Sequence, residues 1–186
     1  MSAPSVVRRR CSGMRLEDRS WERQAVPSTS LAEQLADLPA GWHRVDAVDL
    51  GDRRRPVEHV IVGPGGVFVV SAVEHQDDRI WIRGDGFLVN GQWMPYIRET
   101  RREVGRVDRV LSTAVGVAVS VHGIVVLVAD PARCAIKHQP DDLHVAAPGT
   151  LRSWLVSRPA ALDAATVDRI HALLRRSSAW AERRAG

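Results

Sequence analysis

The sequence predicts an α/β fold, a mixed β-sheet flanked by helices and formed by a single domain. Apolar runs of strand length follow one another and are interrupted by longer segments with apolar residues at helical spacing. One run, HGIVVLVAD, is apolar almost throughout, which is typical of a strand covered on both faces. The chain has 186 residues, 45% of them hydrophobic, enough for one substantial core. We therefore expect strands and helices built around one sheet.

The first part of the chain resembles a tail that precedes the domain. Residues 1–30 contain an arginine triplet, scattered Ser and Pro, and no sustained apolar period, so we expect a disordered basic segment. Residues 31–182 then form the domain, including its C-terminal helices. A short first helix is predicted from Leu31 to Leu38, with Ser30 as N-cap and Glu33 at the capping-box position.

A series of short β-strands follows this first helix. Asn90-Gly91 is a residue pair that favours a two-residue hairpin turn. The predicted strands are His43–Val48, Val57–Val62, Val67–Val73, Arg79–Ile82, Phe87–Val89, the HGIVVLVAD run, Arg133–Lys137 and Leu143–Ala146.

Three further helices complete the expected fold. One runs from about Tyr96 to Leu111 after Pro95, with arginines over much of the side opposite its apolar residues. Two more are predicted around Leu151–Val156 and Ala164–Glu182.

The basic residues are almost all arginine, because Lys137 is the single lysine in a chain of net charge +4. Arginine prefers bidentate contact with phosphate, which favours nucleic acid as a partner. A GC-rich coding sequence enriches arginine without any functional reason, and composition leaves both interpretations open. The candidate nucleic-acid-binding residues are Arg53, Arg54, Arg55, Arg98, Arg101 and Arg102.

Several classes of protein are not expected from this sequence. There is no uninterrupted apolar run of membrane-spanning length and no secretory signal, so we expect a cytoplasmic protein without a membrane partner. Cys11 and Cys134 lie far apart and predict free thiols in a reducing compartment. The GPGG turn is followed by a strand and lacks Gly-Lys-Ser/Thr, so no nucleotide cofactor is expected.

The segment VEHVIVGPGGVFVVSAVEHQ predicts a β-hairpin with a carboxylate at its open end. Side chains two residues apart share one face of a strand, so Ser71 and Val73 point the same way. If the two strands pair, Glu58 lies close to residues 71–73. A carboxylate that meets an acid and a lysine spaced in this way can hold Mg²⁺ and activate the attacking water.

The stretch EHVIVGPGGVFVV resembles the signature of the nuclease-related domain (NERD) family, a branch of the PD-(D/E)xK nuclease superfamily. Weaker similarity extends from about Leu31 to Trp180. The resemblance implies a restriction-endonuclease-like mixed sheet flanked by helices, and descent from a metal-dependent nuclease. The matching residues are Val62, Gly63, Pro64, Gly66, Val67 and Phe68.

The chain differs from that family at the positions that bind the metal ion and activate water in a nuclease. Glu58 stands in place of the aspartate and keeps a carboxylate, Ser71 in place of the second acid, and Val73 in place of the lysine. The glutamate of the first helix has no clear counterpart, since Ser28 aligns there and Glu33 lies a turn or more away. A serine hydroxyl is a poor ligand for a hard dication, and valine cannot polarise water.

Three functional hypotheses follow. The first is a degenerate, catalytically inactive domain that binds DNA or serves as a scaffold for a protein partner, with no cofactor. The second is an active Mg²⁺- or Mn²⁺-dependent endonuclease with a relocated lysine and Glu58 as metal ligand, in which Glu58→Ala abolishes cleavage. The third is a purely structural or interaction domain.

Trp81 and Trp93 flank the predicted hairpin. The sequence leaves two roles open for them, packing across neighbouring strands and stacking on unpaired bases.

Overall fold

A computed structural model describes residues 31–36, 38–52, 54–115 and 119–185. The predicted tail and the predicted N-cap Ser30 lie outside these ranges. The described helices are α1 (Leu31–Ala36), α2 (Tyr96–Val115), α3 (Pro148–Val156) and α4 (Ala164–Ala185), with a short 3₁₀ turn at Pro131–Arg133. The described strands are β1 (His43–Val48), β2 (Val57–Gly63), β3 (Gly66–His75), β4 (Ile80–Arg83), β5 (Gly86–Val89), β6 (Gln92–Trp93), β7 (Val121–Ala129), β8 (Cys134–His138) and β9 (Leu143–Ala146).

The larger sheet has five strands in the order β1-β2-β3-β7-β9. β1, β2 and β3 are antiparallel neighbours, whereas β3, β7 and β9 run parallel, so the sheet is mixed. The predicted α/β class with a mixed sheet flanked by helices is confirmed.

A second sheet, of four strands in the order β6-β5-β4-β8, corrects the expectation of one sheet. β3 already has β2 on one edge and β7 on the other, and β9 occupies the outer edge of β7. The next strand along the chain, β4, therefore has no place beside β3. It pairs instead with the β5 hairpin strand and, in parallel, with β8.

The element bounds agree with the predicted ones to within a few residues. α2 continues one turn beyond Leu111 because Val115 extends the same apolar side and is buried. α3 begins at Pro148, where proline at the first helical position needs no hydrogen-bond partner for its nitrogen. α1 ends at Ala36, two residues before the predicted end.

The core is divided by the two faces of the larger sheet. One face packs on α2 and α4 through residues such as Val60, Val69 and Leu111. The opposite face packs on α1 and α3 through Ile61 and Phe68. A third cluster fills the space between α2 and the inner face of the small sheet.

The VGPGGVF stretch forms the tight β2–β3 turn and packs against the rest of the fold. Gly63 pairs with Gly66, whose φ of 128° suits glycine alone. A Cβ on Gly63 would overlap the Trp42 ring. The Pro64 carbonyl accepts hydrogen bonds from the backbone N–H groups of Ala161 and Leu162, at 2.7 and 3.0 Å. This stretch therefore stabilises the fold through contacts that do not involve hydrolysis.

Candidate functional site

The structure brings Glu58, Ser71 and Val73 together at the open end of the β2–β3 hairpin. His59 pairs with Val70, and continuing this register by one residue sets Glu58 opposite Ser71. All three residues line one cavity of about 210 Å³. The cavity is lined by Glu58, Ser71, Ala72 and Val73 from the hairpin and by Tyr96, Glu99, Thr100 and Glu103 from α2.

The α2 residues of this cavity were missed in the sequence. Tyr96, Glu99, Thr100 and Glu103 recur at three- and four-residue spacing, which places them on one side of a helix. That spacing was a usable signal. It was obscured because Glu99 and Glu103 also fit a solvated helix with intrahelical ion pairs.

The Ser71 hydroxyl is held in a short chain of hydrogen bonds. Thr100 Oγ1 donates to Ser71 Oγ at 3.1 Å, and Ser71 Oγ donates to Glu103 Oε2 at 3.2 Å. Thr100 is 1% exposed, so this chain lies on the core side of the cavity. The hydroxyl is thus occupied in joining β3 to α2.

Val73, at the position of the family's lysine, belongs to the hydrophobic core. Its side chain is 8% exposed and packs in the cluster that contains Ile97, Leu127 and Phe87. Residue 73 thus has two kinds of surroundings, the apolar cluster on its core side and the cavity that also holds Glu58, Glu99 and Glu103. An ammonium group on the core side would lose its hydration without gaining an anion.

Glu103 carries an unusual carboxyl group for a helix surface. Burial is the main cause that raises its pKa above the ordinary range, and the nearby Glu58 and Glu99 carboxylates raise it further. The hydrogen bond from Ser71 and the Arg106 charge act in the opposite direction but do not cancel the effect. Three glutamates thus line one cavity, and Glu103 is the one whose ionisation is disfavoured.

Tyr96 lines the cavity, and its hydroxyl is hydrogen-bonded to His75, which in turn is hydrogen-bonded to Asp78. The Asp78 carboxylate accepts from His75 Nδ1 at 2.8 Å, so in the neutral ring Nε2 accepts from the Tyr96 hydroxyl at 2.9 Å. Burial, followed by the charges of Glu99 and Asp78, raises the pKa of Tyr96. The phenol therefore stays protonated and is positioned rather than activated as a nucleophile.

The donors of the cavity do not fit the dication that the family implies. Among the residues that the structure describes, no three His, Cys, Asp or Glu side chains are grouped so as to hold a metal ion. Ser71 is engaged with Thr100 and Glu103, and Val73 offers no donor. No lysine or arginine among the described residues lines the cavity, and Lys137 lies on β8 of the other sheet. Ser28 and the Glu33 side chain fall outside what is described.

The loop before β2 is anchored by a buried arginine of α2. Arg106 is only 9% exposed and donates through Nε and Nη2 to the Asp52 carboxylate at 2.7 and 2.8 Å. Nη2 also donates to the Arg55 carbonyl at 3.1 Å. Arg54 and Arg55 are exposed on this anchored loop, and Arg53 lies outside the described residues.

The arginines predicted on α2 divide into two groups. Arg101 bridges Asp85 and Asp142, with closest distances of 2.7 and 2.6 Å. It therefore ties the β4–β5 turn to the residue before β9. Arg98 and Arg102 are exposed and lie one turn apart on the same side of the helix as Arg106.

The nuclease-related domain family model matches residues 23–128 of the chain. The match includes the β2–β3 hairpin, the cavity and all of α2, so the site described above lies inside it. No curated protein and no solved structure matches the chain. No described helix is long and apolar enough to cross a membrane.

Proposed function

The chain belongs to the nuclease-related domain family, and on that basis we propose that it binds DNA without hydrolysing it. The proposal rests mainly on the residues found at the two motif positions of β3. Ser71 is part of the hydrogen-bonded chain to α2, and Val73 is a core residue. The hairpin and its turn are kept, whereas the groups that would bind a metal ion and activate water are replaced.

The surface proposed to contact DNA is the arginine row beside the cavity. Arg98 and Arg102 are exposed on α2, and Arg106, one turn further along, holds the loop that carries Arg54 and Arg55. Guanidinium groups bind phosphate oxygens in a bidentate manner, and each phosphate contact releases counterions. The neighbouring cavity holds three glutamates and repels phosphate, so the contact is placed on the row rather than in the cavity mouth.

The test is the affinity for a short fluorescein-labelled DNA duplex, measured by fluorescence anisotropy over a series of salt concentrations. The variant Arg98→Ala/Arg102→Ala should bind more weakly, and its slope of log affinity against log salt should be shallower by about 2. The matched control is Arg169→Ala/Arg176→Ala, which removes the same charge from exposed positions of α4. The slope of log affinity against log salt should be nearly the same for the control as for the parent, because the control loses charge away from the proposed contact surface.

Equal effects of the two double variants would contradict the arginine row as the contact surface. Absence of binding even at low salt would contradict the DNA-binding function itself and leave the scaffolding role. The free energy of unfolding of each variant, measured with urea, separates lost binding from lost folding.

A second candidate function, hydrolysis at a rebuilt site, has one observation in its favour. Glu99 and Glu103 join Glu58 in the cavity, so carboxylates are present although the β3 motif is not. This candidate requires Mn²⁺ or Mg²⁺ to bind there, and it predicts that Mn²⁺ raises the melting temperature of the parent protein but not of Glu58→Gln. Equal melting shifts for both proteins, or no shift, would count against it.

A further inference from the structure

The outer face of the small sheet carries a row of large side chains that nothing in the described chain covers. Trp81 of β4 pairs with Leu88 of β5, and Leu88 pairs with Trp93 of β6, so the three lie side by side across neighbouring strands. Trp81 is 38% exposed and Trp93 is 63% exposed. Within the described residues, the exposed large hydrophobic side chains are these two tryptophans and Val156 of α3.

The alternation of the strands explains why the row faces outward. Ile80, Ile82 and Phe87 point to the core between the small sheet and α2, and the residues between them must point to the other side. Cross-strand packing, the common use of such tryptophans, accounts for one side of each ring. It leaves a large part of both rings in contact with water.

The Trp93 ring lies over Gly86 on this outer face. A Cβ on Gly86 would lie 3.4 Å from Cζ3 and 3.6 Å from Cη2 of Trp93, so a space the size of one methyl group separates the ring from the glycine backbone. The exposed ring offers a flat face on which a second flat group can stack.

The same face is positively charged. Arg79, Trp81 and Arg83 alternate along β4 and its preceding residue, which places both guanidinium groups on the side of the tryptophan. Within the described ranges, no side-chain hydrogen bond or ion pair engages either arginine. The sequences of the four strands, IWIR, GFLV, QW and CAIKH, contain no aspartate or glutamate.

Two carboxylates of the adjoining turns are engaged elsewhere, since Asp85 accepts from Arg101 and Asp78 accepts from Asn90 and His75, whereas Asp77 is exposed in the turn before β4. A hollow of about 530 Å³ lies at the Trp81 end of the row, and its described lining includes Arg79, Trp81 and Leu88 but not Trp93. Its size suits an aromatic group rather than a single ion.

We propose that this face binds single-stranded DNA, with bases stacked on Trp81 and Trp93 and phosphates contacted by Arg79 and Arg83. Exposed aromatic rings on an open sheet with cations beside them match the chemistry of an unpaired polynucleotide, in which ring faces and phosphates alternate. A duplex hides its base faces, so the tryptophans would gain nothing from it. The inference rests on the proposed function, since both take DNA as ligand, but it uses a different surface.

The test is fluorescence anisotropy with a labelled oligothymidylate at fixed salt, run beside the duplex assay. Trp93→Ala and Trp81→Ala should each weaken single-strand binding about tenfold, because each removes a stacking partner. Trp93→Phe should restore most of the loss, since a phenyl ring also stacks. Val156→Ala removes an exposed apolar side chain from α3 and should leave the affinity unchanged.

The outcomes separate this inference from the function on which it rests. Duplex binding that depends on Arg98 and Arg102, together with single-strand binding unaffected by Trp81→Ala and Trp93→Ala, overturns the inference and leaves the function standing. If single-stranded DNA binds only when the tryptophans are present and duplex DNA does not bind, the inference is supported. The arginine row is then excluded as a surface that contacts duplex DNA. If Trp93→Ala converts a dimer into a monomer in light scattering and no oligonucleotide binds, the face is a self-association surface and the inference is overturned.

Discussion

At the scale of single residues, the difference from a nuclease is concentrated at position 73. Val73 packs among apolar side chains on its core side, and a lysine there would have to give up this packing to reach the carboxylates of the cavity. The Ser71 hydroxyl accepts a hydrogen bond from Thr100 and so joins β3 to α2. Both side chains are therefore part of the packing of the fold.

Val73→Lys should therefore destabilise the protein rather than restore the site. Burying an ammonium group in this cluster should lower the free energy of unfolding by about 2 kcal/mol or more. Val73→Ile, which keeps the position apolar, should cost less than about 1.5 kcal/mol. Urea denaturation of both variants measures the difference, and a Val73→Lys protein as stable as the parent would show that residue 73 is not a core position.

Glu103 gives a prediction about pH at the same scale. Because its pKa is raised in the folded state, its contribution to stability is complete below the pKa of the unfolded chain and is lost as the pH rises through the folded value. Glu103→Gln does not titrate and can still accept from Ser71. The stability of the variant relative to the parent should increase as the pH rises above the pKa of an unfolded glutamate, and the increase should be modest because the carboxyl is partly solvated. A difference that does not change with pH would contradict the raised pKa.

At the scale of elements, the pairing of Arg106 with Asp52 joins α2 to the loop before β2. Asp52 has a lowered pKa, mainly because it accepts hydrogen bonds from Arg106. Arg106 is buried, so removing its partner leaves a charge without compensation. The arginines of this loop therefore keep their position only while the pair is intact.

Asp52→Ala should lower the free energy of unfolding by about 2 kcal/mol at neutral pH, less than for a fully buried pair since Asp52 is partly exposed. The lowered pKa means that this contribution is present above the unfolded pKa of the aspartate and is lost as the pH falls through the folded value. Urea unfolding at neutral and acidic pH should thus give a smaller penalty in acid. Asp108→Ala, an exposed change on α2, should have little effect, and an equal penalty for both variants would contradict the role of the pair.

The elements themselves could largely be predicted from the sequence, because their signals are local. Asn90-Gly91 specifies its hairpin by backbone conformation, with φ values of 50° and 84°. The partners of the strands could not be predicted in the same way. Nothing near Ile80 in the sequence indicates that Cys134 lies beside it, and the second sheet depends on that pairing.

The candidate site was predictable in part for the same reason. Glu58 and Ser71 belong to one hairpin, so their proximity follows from a local turn. Glu103 joins them only through the packing of α2 on β3, which the sequence does not show. The contrast between Arg101 and Arg102 likewise depends on tertiary partners, since Asp85 and Asp142 are distant in the chain from the helix.

At the scale of the whole molecule, a nuclease-related frame surrounds a cavity in which Ser71 and Val73 occupy the β3 positions. The VGPGGVF turn packs against Trp42, and its Pro64 carbonyl accepts hydrogen bonds from the backbone N–H groups of Ala161 and Leu162; these contacts do not depend on whether the protein cuts DNA. Arg101 joins the two sheets through α2. Because these contacts hold the fold independently of any reaction, we propose that the fold has been kept while hydrolysis has been lost.

The most direct test of that claim is a cleavage assay on supercoiled plasmid and forked DNA with Mg²⁺ or Mn²⁺, comparing the parent with Glu58→Ala purified in the same way. We predict no cleavage by the parent above the level of the variant. Cleavage by the parent that Glu58→Ala abolishes, while its urea unfolding curve is unchanged, would contradict the account. It would show that another group has taken over the function of the lysine missing at position 73.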